Sequence, residues 1–509
     1  MPVSKVKSPL LVTPEQMKAA ERYTEDGGTS CAVLMDNVGR ETAEGLSDIV
    51  GAGGKNIVIL CGSGNNGGDG FAAGKYLSRK NAKVTVVLVS GQPKTDLAKQ
   101  CFDRCLPYFG SVSDYGENPD KAIKAISDAD VILDCVYGTG FHGELTDSVA
   151  GLFKCCNESG AFKASVDVAS GCNALTGEVC EDAFCADVTF AAGAVKAGQI
   201  IQPAAELSGE IITLEIGIKG YPEYIAEINN DGLLGLLPRR KRFSHKGTFG
   251  RLLNVAGSDS FPGAAWLSTH AAMRIGVGIV TLASVKGVTD TVAATLHECT
   301  FLPLKNGAGY IDEEDIKDIV KAARSATAVT VGCGMGDRED TRLTVKALVE
   351  NTNCPIVIDA DGINSLSGHI HELKDNTNRL LFTPHPKEFS RISGLSVEEI
   401  LRDPVGAARS FAIEQGVYLL LKGAYSVIAA PDGRLAVNMS GNAALAKGGS
   451  GDCLTGTIGG LLAQGLSPWN AARLGAYIAG LAAEKAAETR AMSGILPGEL
   501  ADLYPYILK

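Results

Sequence analysis

The chain has 509 residues, of which 45% are hydrophobic and 21% charged, and its formal net charge is −11 at pH 7. That length exceeds what one hydrophobic core supports and predicts two or three domains, and the 61 glycines favour an α/β protein with many tight turns. The acidic balance argues against a nucleic-acid-binding scaffold and against an anionic membrane as partner. Because no apolar run is long enough for a signal peptide or a membrane span, we expect a cytoplasmic protein.

Cysteine and histidine spacing does not predict a metal centre. The 14 cysteines show no C-x-x-C spacing and are expected to be reduced thiols that behave as small hydrophobic side chains. His369 and His371 form the one close histidine pair and lack an evident third ligand, so we expect them at the surface.

The first half of the chain predicts a parallel sheet covered by helices. A helix begins at Thr13-Pro14-Glu15-Gln16, with threonine as N-cap and glutamine at the capping-box position. Short β-branched runs without polar alternation then predict strands at 56–62, 83–89, 129–138, 165–170 and 186–192. Their spacing fits βαβ crossovers, which predicts a Rossmann-like, doubly wound domain over residues 1–225.

A second α/β series follows a basic segment. The run Pro238-Arg239-Arg240-Lys241-Arg242 is interpreted as part of a solvated interdomain linker, with an anion-binding site as the alternative. Strands are then predicted at 251–257, 278–284, 326–336, 355–362 and 417–424, and the last third is rich in alanine and glycine and helical. The sequence therefore predicts a second α/β domain over residues 240–509.

Polar residues follow three predicted strands of the first domain. They are Asn65, Asn66 and Asp69 within "GSGNNGGDG", then Asp134 with Gly138, Thr139 and Gly140, and finally Asp167 with Ser170. Parallel sheets bind ligands beyond the carboxyl ends of their strands, and glycine-rich amides at a helix start suit a phosphate. Oxygen ligands of these kinds also suit a hard cation or a ribose. A glycine turn with polar helix caps is the plainer alternative.

The stretch "GNAALAKGGSGDCLTG" (441–456) predicts a second phosphate site. Gly448–Gly451 would direct free backbone amides at one point at a helix N-terminus, with Gly449 and Gly451 close to the bound anion. Asp452 follows directly and can take a proton from an attacking hydroxyl, and Asn442 can add a hydrogen bond. The alternative is an ordinary cap on a helix.

The first-domain motifs "LMDNVG" (34–39), "GSGNNGGDG", "DCVYGTGFHGE" (134–144) and "VDVASG" (166–171) together resemble the epimerase domain of bifunctional NAD(P)H-hydrate repair enzymes. The resemblance runs across most of residues 10–220. It implies interconversion of the R and S forms of the hydrated cofactors NADHX and NADPHX. One departure is Ala169, where family members usually have proline.

The resemblance assigns residues to this site. It implies that Asn66, Asp134 and Ser170 hold a potassium ion. Asp167 would contact the hydrated cofactor and could shuttle the proton, although the sequence leaves open which carboxylate is the base. The further residues implied to contact the cofactor are Asn65, Asn66, Gly67, Gly68, Asp69, Gly138, Thr139, Gly140, Phe141, His142, Gly143 and Glu144.

The second-domain motifs resemble the ribokinase-like, ADP/ATP-dependent NAD(P)H-hydrate dehydratase domain over essentially all of residues 240–505. They are "HKGTFGRLLNVAGSDSFPGAA" (245–265), "VGCGMG" (331–336), "DADGIN" (359–364), "TPHPKEF" (383–389), "LKGAYSVI" (421–428) and the stretch at 441–456. The resemblance implies that Ala264, Gly334, His385 and Asp452 contact the hydrated cofactor, although His385 could also be a core histidine. It implies nucleotide contacts from Lys422, Gly423, Ala424, Tyr425, Ser426 and Gly451. Cys333 and Lys447 stand where proline and threonine are common.

The implied mechanism is phosphorylation of the hydrate hydroxyl with Asp452 as base, followed by loss of phosphate. Magnesium would bridge the phosphates of ADP or ATP, and a homo-oligomer is expected because family members often form one. Two alternatives stay open: a kinase that releases a stable phosphorylated alcohol, and a first domain that binds nucleotides without catalysis.

Overall fold

A computed structural model describes residues 10–304, 307–373 and 377–508. The chain divides into two compact units, Met1–Glu227 and Ile228–Lys509. Within the described ranges, no helix is long and apolar enough to cross a membrane.

The first unit is built on a parallel sheet of short apolar strands. The strands of this unit are β1 (Leu10–Val12), β2 (Asn56–Cys61), β3 (Lys83–Leu88), β4 (Ser111–Asp114), β5 (Val131–Cys135), β6 (Phe162–Val166), β7 (Val188–Ala192), β8 (Val195–Lys196), β9 (Glu210–Leu214) and β10 (Ala226–Ile228). Seven of them form one sheet in the order β4-β3-β2-β5-β6-β7-β9, with parallel pairing throughout. This order is doubly wound, as predicted, and its direction of winding reverses between β2 and β5. Strand β1 pairs separately, in parallel with β8 and antiparallel with β10.

Helices cover both faces of this sheet. They are α1 (Pro14–Asp26), α2 (Cys31–Val50), α3 (Asn65–Arg79), α4 (Asp96–Cys105), α5 (Pro119–Ser127), α6 (Asp147–Glu158) and α7 (Ala204–Leu207). Successive residues of β2 belong to two different cores: Ile57 and Ile59 to one, Val58 and Leu60 to the other. The absence of polar alternation in the sequence has this cause. The predicted capping box is confirmed, because Thr13 Oγ1 accepts from Gln16 N at 3.1 Å and Gln16 Oε1 from Thr13 N at 2.9 Å.

The second unit carries a mixed sheet. Its strands are β11 (Arg251–Val255), β12 (Ile279–Val285), β13 (Thr300–Leu304), β14 (Ala328–Val331), β15 (Ile356–Ile358), β16 (Leu380–Phe382), β17 (Tyr418–Leu421), β18 (Ser426–Ala429) and β19 (Leu435–Asn438). The order is β13-β12-β11-β14-β15-β16-β17-β18-β19. Pairing is parallel from β13 to β17, and β18 and β19 continue the sheet antiparallel.

The helices of the second unit include the glycine-rich one predicted to open at the phosphate loop. They are α8 (Pro262–Arg274), α9 (Lys286–Ala293), α10 (Ile316–Ala323), α11 (Glu339–Asn351), α12 (Asp361–Asn364), α13 (Pro386–Ser393), α14 (Val397–Arg402), α15 (Pro404–Gln415), α16 (Ser450–Ala463), α17 (Pro468–Ala487) and α18 (Pro497–Ile507). Helix α16 packs on α8 because glycines let the two backbones approach: a Cβ at Gly456 would lie 1.9 Å from the carbonyl oxygen of Ser268. The predicted helical character of the last third is confirmed.

The structure corrects several predicted strand boundaries. The strand predicted over 165–170 occupies Phe162–Val166, because the chain turns sharply at Asp167. Nine strands were not predicted: β1, β4, β8, β9, β10, β13, β16, β18 and β19. The basic run at 238–242 lies in the second unit with its four cationic residues exposed, and the Arg240 guanidinium stacks 4.0 Å above the Phe249 ring.

Candidate active sites

The first site is a cavity of about 640 Å³ at the carboxyl ends of β2 and β5, where the strand order reverses. Its walls come from α1, α2, the start of α3 and the loop after β5. The predicted residues that line it are Asn65, Asn66, Asp69, Gly138, Thr139, Gly140, Phe141, His142, Glu144 and Asp167. Residues from three separate strand ends therefore meet at one cavity.

Three predicted glycines lie outside this lining. Gly67 and Gly68 are buried: a Cβ at Gly67 would lie 2.0 Å from the carbonyl oxygen of Gly62, and one at Gly68 would lie 2.5 Å from Met35 Cε. Their small size therefore lets α3 pack closely against its neighbours. Gly143 lies on a separate cavity of about 820 Å³. A contact between these three residues and a ligand stays a prediction.

Asp167 occupies a strained turn directly after β6. Its φ is +70°, and Val168 N donates to the carbonyl of Val166 at 2.9 Å, which makes Asp167 the central residue of a γ-turn. Backbone strain of this kind persists only where surrounding contacts impose it, and it is common at functional sites. The side chain is 13% exposed, so the carboxylate is nearly buried.

Two donors hold the Asp167 carboxylate. The ammonium of Lys196 lies 2.5 Å from Oδ1, and the backbone N–H of Thr139 donates to Oδ2 at 3.0 Å. A Cβ at Gly138 would lie 2.9 Å from Oδ2, so glycine is what allows the loop to approach the carboxylate. Lys196 was not predicted from the sequence, although its ion pair fixes the charge at this site.

Two further carboxyl groups face the same cavity. Burial raises the pKa of Asp69 well above its usual range, and the nearby charge of Asp167 adds to the effect. Burial and Asp167 also raise the pKa of Glu21, which reaches the cavity from α1 and was not predicted. Asp69 therefore keeps its proton at neutral pH, beside an aspartate whose charge is balanced by an ammonium.

Asn66, Asp134 and Ser170 converge beside the cavity. Ser170 donates to Asp134 Oδ1 at 2.7 Å through its hydroxyl and to Oδ2 at 2.8 Å through its amide. Asn66 Nδ2 donates to the carbonyl of Tyr137 at 2.9 Å, while Oδ1 is buried without a hydrogen-bond partner among the described residues. Burial raises the pKa of Asp134 to about 6. An orphan amide oxygen near a buried carboxylate fits a hard monovalent cation.

The second site lies where the glycine turn opens α16. Gly449 has a φ of +98°, a conformation that favours glycine, and the helix begins at Ser450. The Ser450 hydroxyl is buried and has no hydrogen-bond partner among the residues that the structure describes. Free amide groups and an unpaired hydroxyl at a helix N-terminus suit a phosphate.

Asp452 lies in the first turn of α16. Burial raises its pKa to about 6, and the charge of the neighbouring Asp359 contributes. The group is therefore ionised at neutral pH but easily protonated, which is the condition for a general base.

Asp359 follows β15 and anchors a buried polar cluster. Its side chain is 1% exposed and accepts from Lys422 Nζ at 2.9 Å and from Thr455 Oγ1 at 2.6 Å. The ammonium of Lys422 also lies 3.8 Å from Glu388. Although burial opposes it, the two carboxylates raise the pKa of Lys422. The next residue, Ala360, has a φ of +48°, so this strand end is also strained.

The glycine turn reaches this cluster. A Cβ at Gly451 would lie 3.3 Å from Lys422 Nζ and 3.9 Å from Asp359 Oδ2. The ammonium of Lys422 therefore lies close to the N-terminus of α16. Together they present positive potential to one point.

Ala264 and Gly334, two further predicted residues of the second site, pack closely against each other. A Cβ at Gly334 would lie 2.8 Å from the Cβ atoms of both Ala264 and Phe261, and the Ser258 hydroxyl holds the Gly334 carbonyl at 2.8 Å. With a φ of +65°, Gly334 occupies a conformation and a space that other residues do not fit.

His385 caps α13. Its Nδ1 accepts from the amides of Lys387 and Glu388 at 3.1 and 3.2 Å, while Glu388 Oε2 accepts from the His385 amide at 2.9 Å. Nδ1 is thus unprotonated and Nε2 carries the hydrogen of the neutral ring. The side chain is 47% exposed, so it is not a core histidine, and contact with a ligand stays a prediction.

The remaining predicted residues lie on two turns. Gly423 and Ala424 are exposed, and Tyr425 and Ser426 are half-buried, at the turn between β17 and β18. Asn442 has a structural function: it accepts from Ala444 N and donates to the Ala483 carbonyl, both at 3.0 Å.

Two family models together match most of the chain. One, described as NAD(P)H-hydrate dehydratase, matches residues 252–505, and one described as YjeF-related protein N-terminus matches residues 31–198. A bifunctional NAD(P)H-hydrate repair enzyme of Moorella thermoacetica is 33% identical and aligns with 98% of this chain and 96% of its own. One of Thermofilum pendens is also 33% identical, over 97% and 94%.

The chain belongs to the family of bifunctional NAD(P)H-hydrate repair enzymes. Among solved structures, an ADP/ATP-dependent NAD(P)H-hydrate dehydratase of Bacillus subtilis, crystallised with ATP and Mg²⁺, is 31% identical. It covers 54% of this chain and 94% of its own, with a TM-score of 0.45.

Three departures from the family pattern have a visible setting. Ala169 is fully buried beside the strained turn. The Cys333 thiol lies 4.0 Å from Asp359 Oδ2. Lys447 donates to the carbonyls of Ser493 and Ile495 at 2.8 Å each, which ties the glycine turn to the segment before α18.

Removal of the Lys422 ammonium should destabilise the second unit. Lys422→Met leaves the buried Asp359 carboxylate without its counter-ion, and we expect a loss of about 3–5 kcal/mol in the free energy of unfolding. Lys286→Met is the matched control, because the Lys286–Asp290 pair is exposed and is worth less than about 1 kcal/mol. Calorimetric unfolding of both variants measures the difference. Equal losses of unfolding free energy in the two variants would contradict a buried Lys422–Asp359 pair.

Proposed function

We propose that the first site interconverts the R and S epimers of NADHX and NADPHX and that the second dehydrates the S epimer at the expense of ADP or ATP. The observation that carries this proposal is the same in both units. In each unit, an aspartate that is buried or nearly so pairs with a lysine that is at most 20% exposed, and the pair lies beside a glycine-containing turn. The pairs are Asp167–Lys196 and Asp359–Lys422. The family assignment supports both reactions.

In the first site, Asp69 and Asp167 would act as acid and base. Asp69 donates its proton to the hydroxyl on the carbon beside the ring nitrogen, and the hydroxyl leaves as water while the nitrogen electron pair forms a C=N bond. Water then adds to the opposite face, and its electron pair forms the new C–O bond as Asp167 takes its proton. The carboxyls have then exchanged one proton, which permits the reverse reaction with their roles interchanged.

Potassium would bind at Asn66 Oδ1 beside Asp134 and Ser170. The unpartnered amide oxygen and the carboxylate supply oxygen donors for a hard cation. When bound, the ion supplies positive charge that favours the ionised form of Asp134. Phosphates of the substrate would lie against the start of α3 and the loop 138–144.

In the second site, the substrate hydroxyl would attack the terminal phosphorus of the nucleotide while Asp452 takes its proton. The start of α16 and the ammonium of Lys422 stabilise the charge on the transferred group. Phosphate then leaves with its bonding electrons, and loss of a proton from the adjacent ring carbon restores the double bond. Magnesium would be held chiefly by the nucleotide phosphates.

The assembly and location of the protein follow the family expectation. We propose a homo-oligomer, to be measured by light scattering, and a cytoplasmic location. Neither is needed for the chemistry of the two sites, because each site is built from residues of one unit.

Both reactions can be tested on a mixture of R- and S-NADHX with Mg²⁺ and either nucleotide. We expect full recovery of the dihydronicotinamide absorbance by the wild type. Asp167→Ala should recover only the S fraction above the uncatalysed background, and Asp452→Ala should lower the dehydration rate by roughly 10²–10⁴-fold. Asp290→Ala, an exposed aspartate of the second unit, should behave as wild type.

The same assay separates the alternatives. Recovery by the wild type that stops at the S fraction would contradict the epimerase. A stable phosphorylated product without restored absorbance would instead identify a kinase.

The dehydration rate should depend on pH through Asp452. The base must be ionised and its pKa is about 6, so the rate should fall about tenfold per pH unit below that value and level off above it. Because Asp359 contributes to the raised pKa, Asp359→Asn should move the midpoint to lower pH. Rate profiles of the S epimer measure both midpoints. An unchanged midpoint in Asp359→Asn would contradict this coupling.

Potassium should stabilise the first unit and activate the epimerase. We expect a higher unfolding temperature and a faster reaction in KCl than in choline chloride at equal ionic strength. Asn66→Leu should lose both responses because it lacks the unpartnered oxygen. Asn65→Ala should keep the stabilisation, because the Asn65 side chain accepts from Thr95 at 2.6 Å instead. Retention of both responses in Asn66→Leu would place the ion elsewhere.

A further inference from the structure

Lys196 is a fully buried lysine in the first unit. Its side chain is 0% exposed, and it lies on β8, beside Val12 of β1. Its ammonium contacts Asp167 Oδ1 at 2.5 Å and donates to the Ala192 carbonyl at 2.7 Å. Burial of an ammonium is costly, and an ion pair often fails to recover that cost. Stability alone therefore does not explain why a lysine occupies this position in the core.

A second contact ties the backbones of the pair together. Gln199 Oε1 accepts from the Lys196 amide at 2.8 Å, and its Nε2 donates to the Asp167 carbonyl at 3.0 Å. Gln199 is itself buried. The bridge therefore keeps the two backbone segments together, so that the strained turn at Asp167 is held through its backbone as well as through its side chain.

Asp167 shares the cavity with other carboxyl groups. Glu21 reaches it from α1 and Asp69 from α3. Several carboxyl groups around one cavity would share protons, because like charges close together cannot all ionise. An ammonium that pairs with one of these carboxyl groups favours the ionised form of that group over the others. The titratable groups that line this cavity are Lys18, Glu21, Cys31, Asp69, Tyr137, His142, Glu144 and Asp167.

We propose that Lys196 is a positioning residue of the epimerase site, whose buried ammonium keeps the Asp167 carboxylate ionised and turned toward the cavity. The lysine acts through the aspartate, because the described contacts place its ammonium behind the carboxylate. Asp167 is then the base for the first direction of reaction, and Asp69 is the acid. This inference rests on the proposed epimerase function.

Lys196→Met tests the proposal in the full chain. Without the ammonium, the buried carboxylate binds a proton at higher pH, so the acid limb of the epimerase rate profile should move upward by roughly one to three pH units. At pH 7, kcat should fall on the order of 10- to 100-fold while KM stays within about threefold. R-NADHX is the substrate, and Asp167→Ala protein in excess serves as the coupling dehydratase.

Two further variants separate catalysis from folding. Lys196→Arg keeps a cation, so its rate profile should keep the wild-type midpoint even if kcat falls. Lys196→Met with Asp167→Asn removes both charges and should unfold near the wild-type temperature while remaining inactive as an epimerase. If Lys196→Met does not fold, the test is the pH midpoint of the epimerase rate profile of Lys196→Arg. An upward shift of that midpoint would overturn the proposal.

Lys75→Met is the matched control. Lys75 forms a partly buried ion pair with Asp36 in the same unit, outside the cavity lining. Its loss should lower the unfolding temperature and leave the pH midpoint unchanged. If Lys196→Met lowers kcat and stability but likewise keeps the wild-type midpoint, its role is structural and the proposal is wrong.

A measurement that does not depend on activity separates the proposed role of Lys196 from the proposed epimerase function. Carbon-13 NMR of protein labelled at the aspartate side-chain carboxyls identifies Asp167 as the signal missing in Asp167→Asn. At pH 7 it should report a carboxylate in the wild type and a carboxylic acid in Lys196→Met. A carboxylate in both would overturn the inference, whereas an inactive wild type with the expected signals would overturn only the epimerase.

Discussion

A buried lysine–aspartate pair determines the chemistry available in each unit. In the first unit Lys196 holds Asp167, and in the second Lys422 holds Asp359. Both aspartates follow a parallel strand, and both strand ends are strained, at Asp167 itself and at Ala360. Since pairs of this kind seldom increase stability, their position at strained strand ends indicates function rather than folding.

Each pair also sets the protonation of a second carboxyl group. Asp167 contributes to the raised pKa of Asp69, and Asp359 contributes to that of Asp452. Burial is the larger cause in both cases, so the second carboxyl depends on a dry setting as well as on a neighbouring charge. In each site, therefore, one carboxyl group is paired with an ammonium, and the pKa of the other is raised.

The sequence predicted the positions of both sites because their signals are local. Glycine and polar residues directly after strand-like runs marked the loops at 62–70 and 138–144, and glycines before a helical pattern marked the turn at 448–451. The doubly wound order brings the first two loops together at the reversal between β2 and β5. The unpredicted strands are short or atypical. β16 has three residues, and β13 contains Pro303 and lies at the sheet edge.

Contacts between distant segments could not be predicted in the same way. Lys196 lies 29 positions after Asp167 in an apolar run, and the Lys422–Asp359 pair joins residues separated by 63 positions. Although Lys422 was predicted as a nucleotide contact, nothing local shows which carboxylate either lysine meets. Gly67 and Gly68 show a different limit, because a motif that indicates a phosphate loop also contains residues that are small for helix packing, and the sequence does not separate the two functions.

The two sites differ in where the paired aspartate lies, and that difference matches the two reactions. Asp167 itself faces the cavity, so in the proposed reaction the paired aspartate would be a reacting group, with Asp69 on the same cavity. An epimerase needs both, since each direction of the reaction uses one acid and one base. Asp359 instead is occupied by Lys422 and Thr455 and contributes to the raised pKa of Asp452. Phosphoryl transfer needs a single base beside a positive helix start, and there the paired aspartate adjusts the base and holds the lysine.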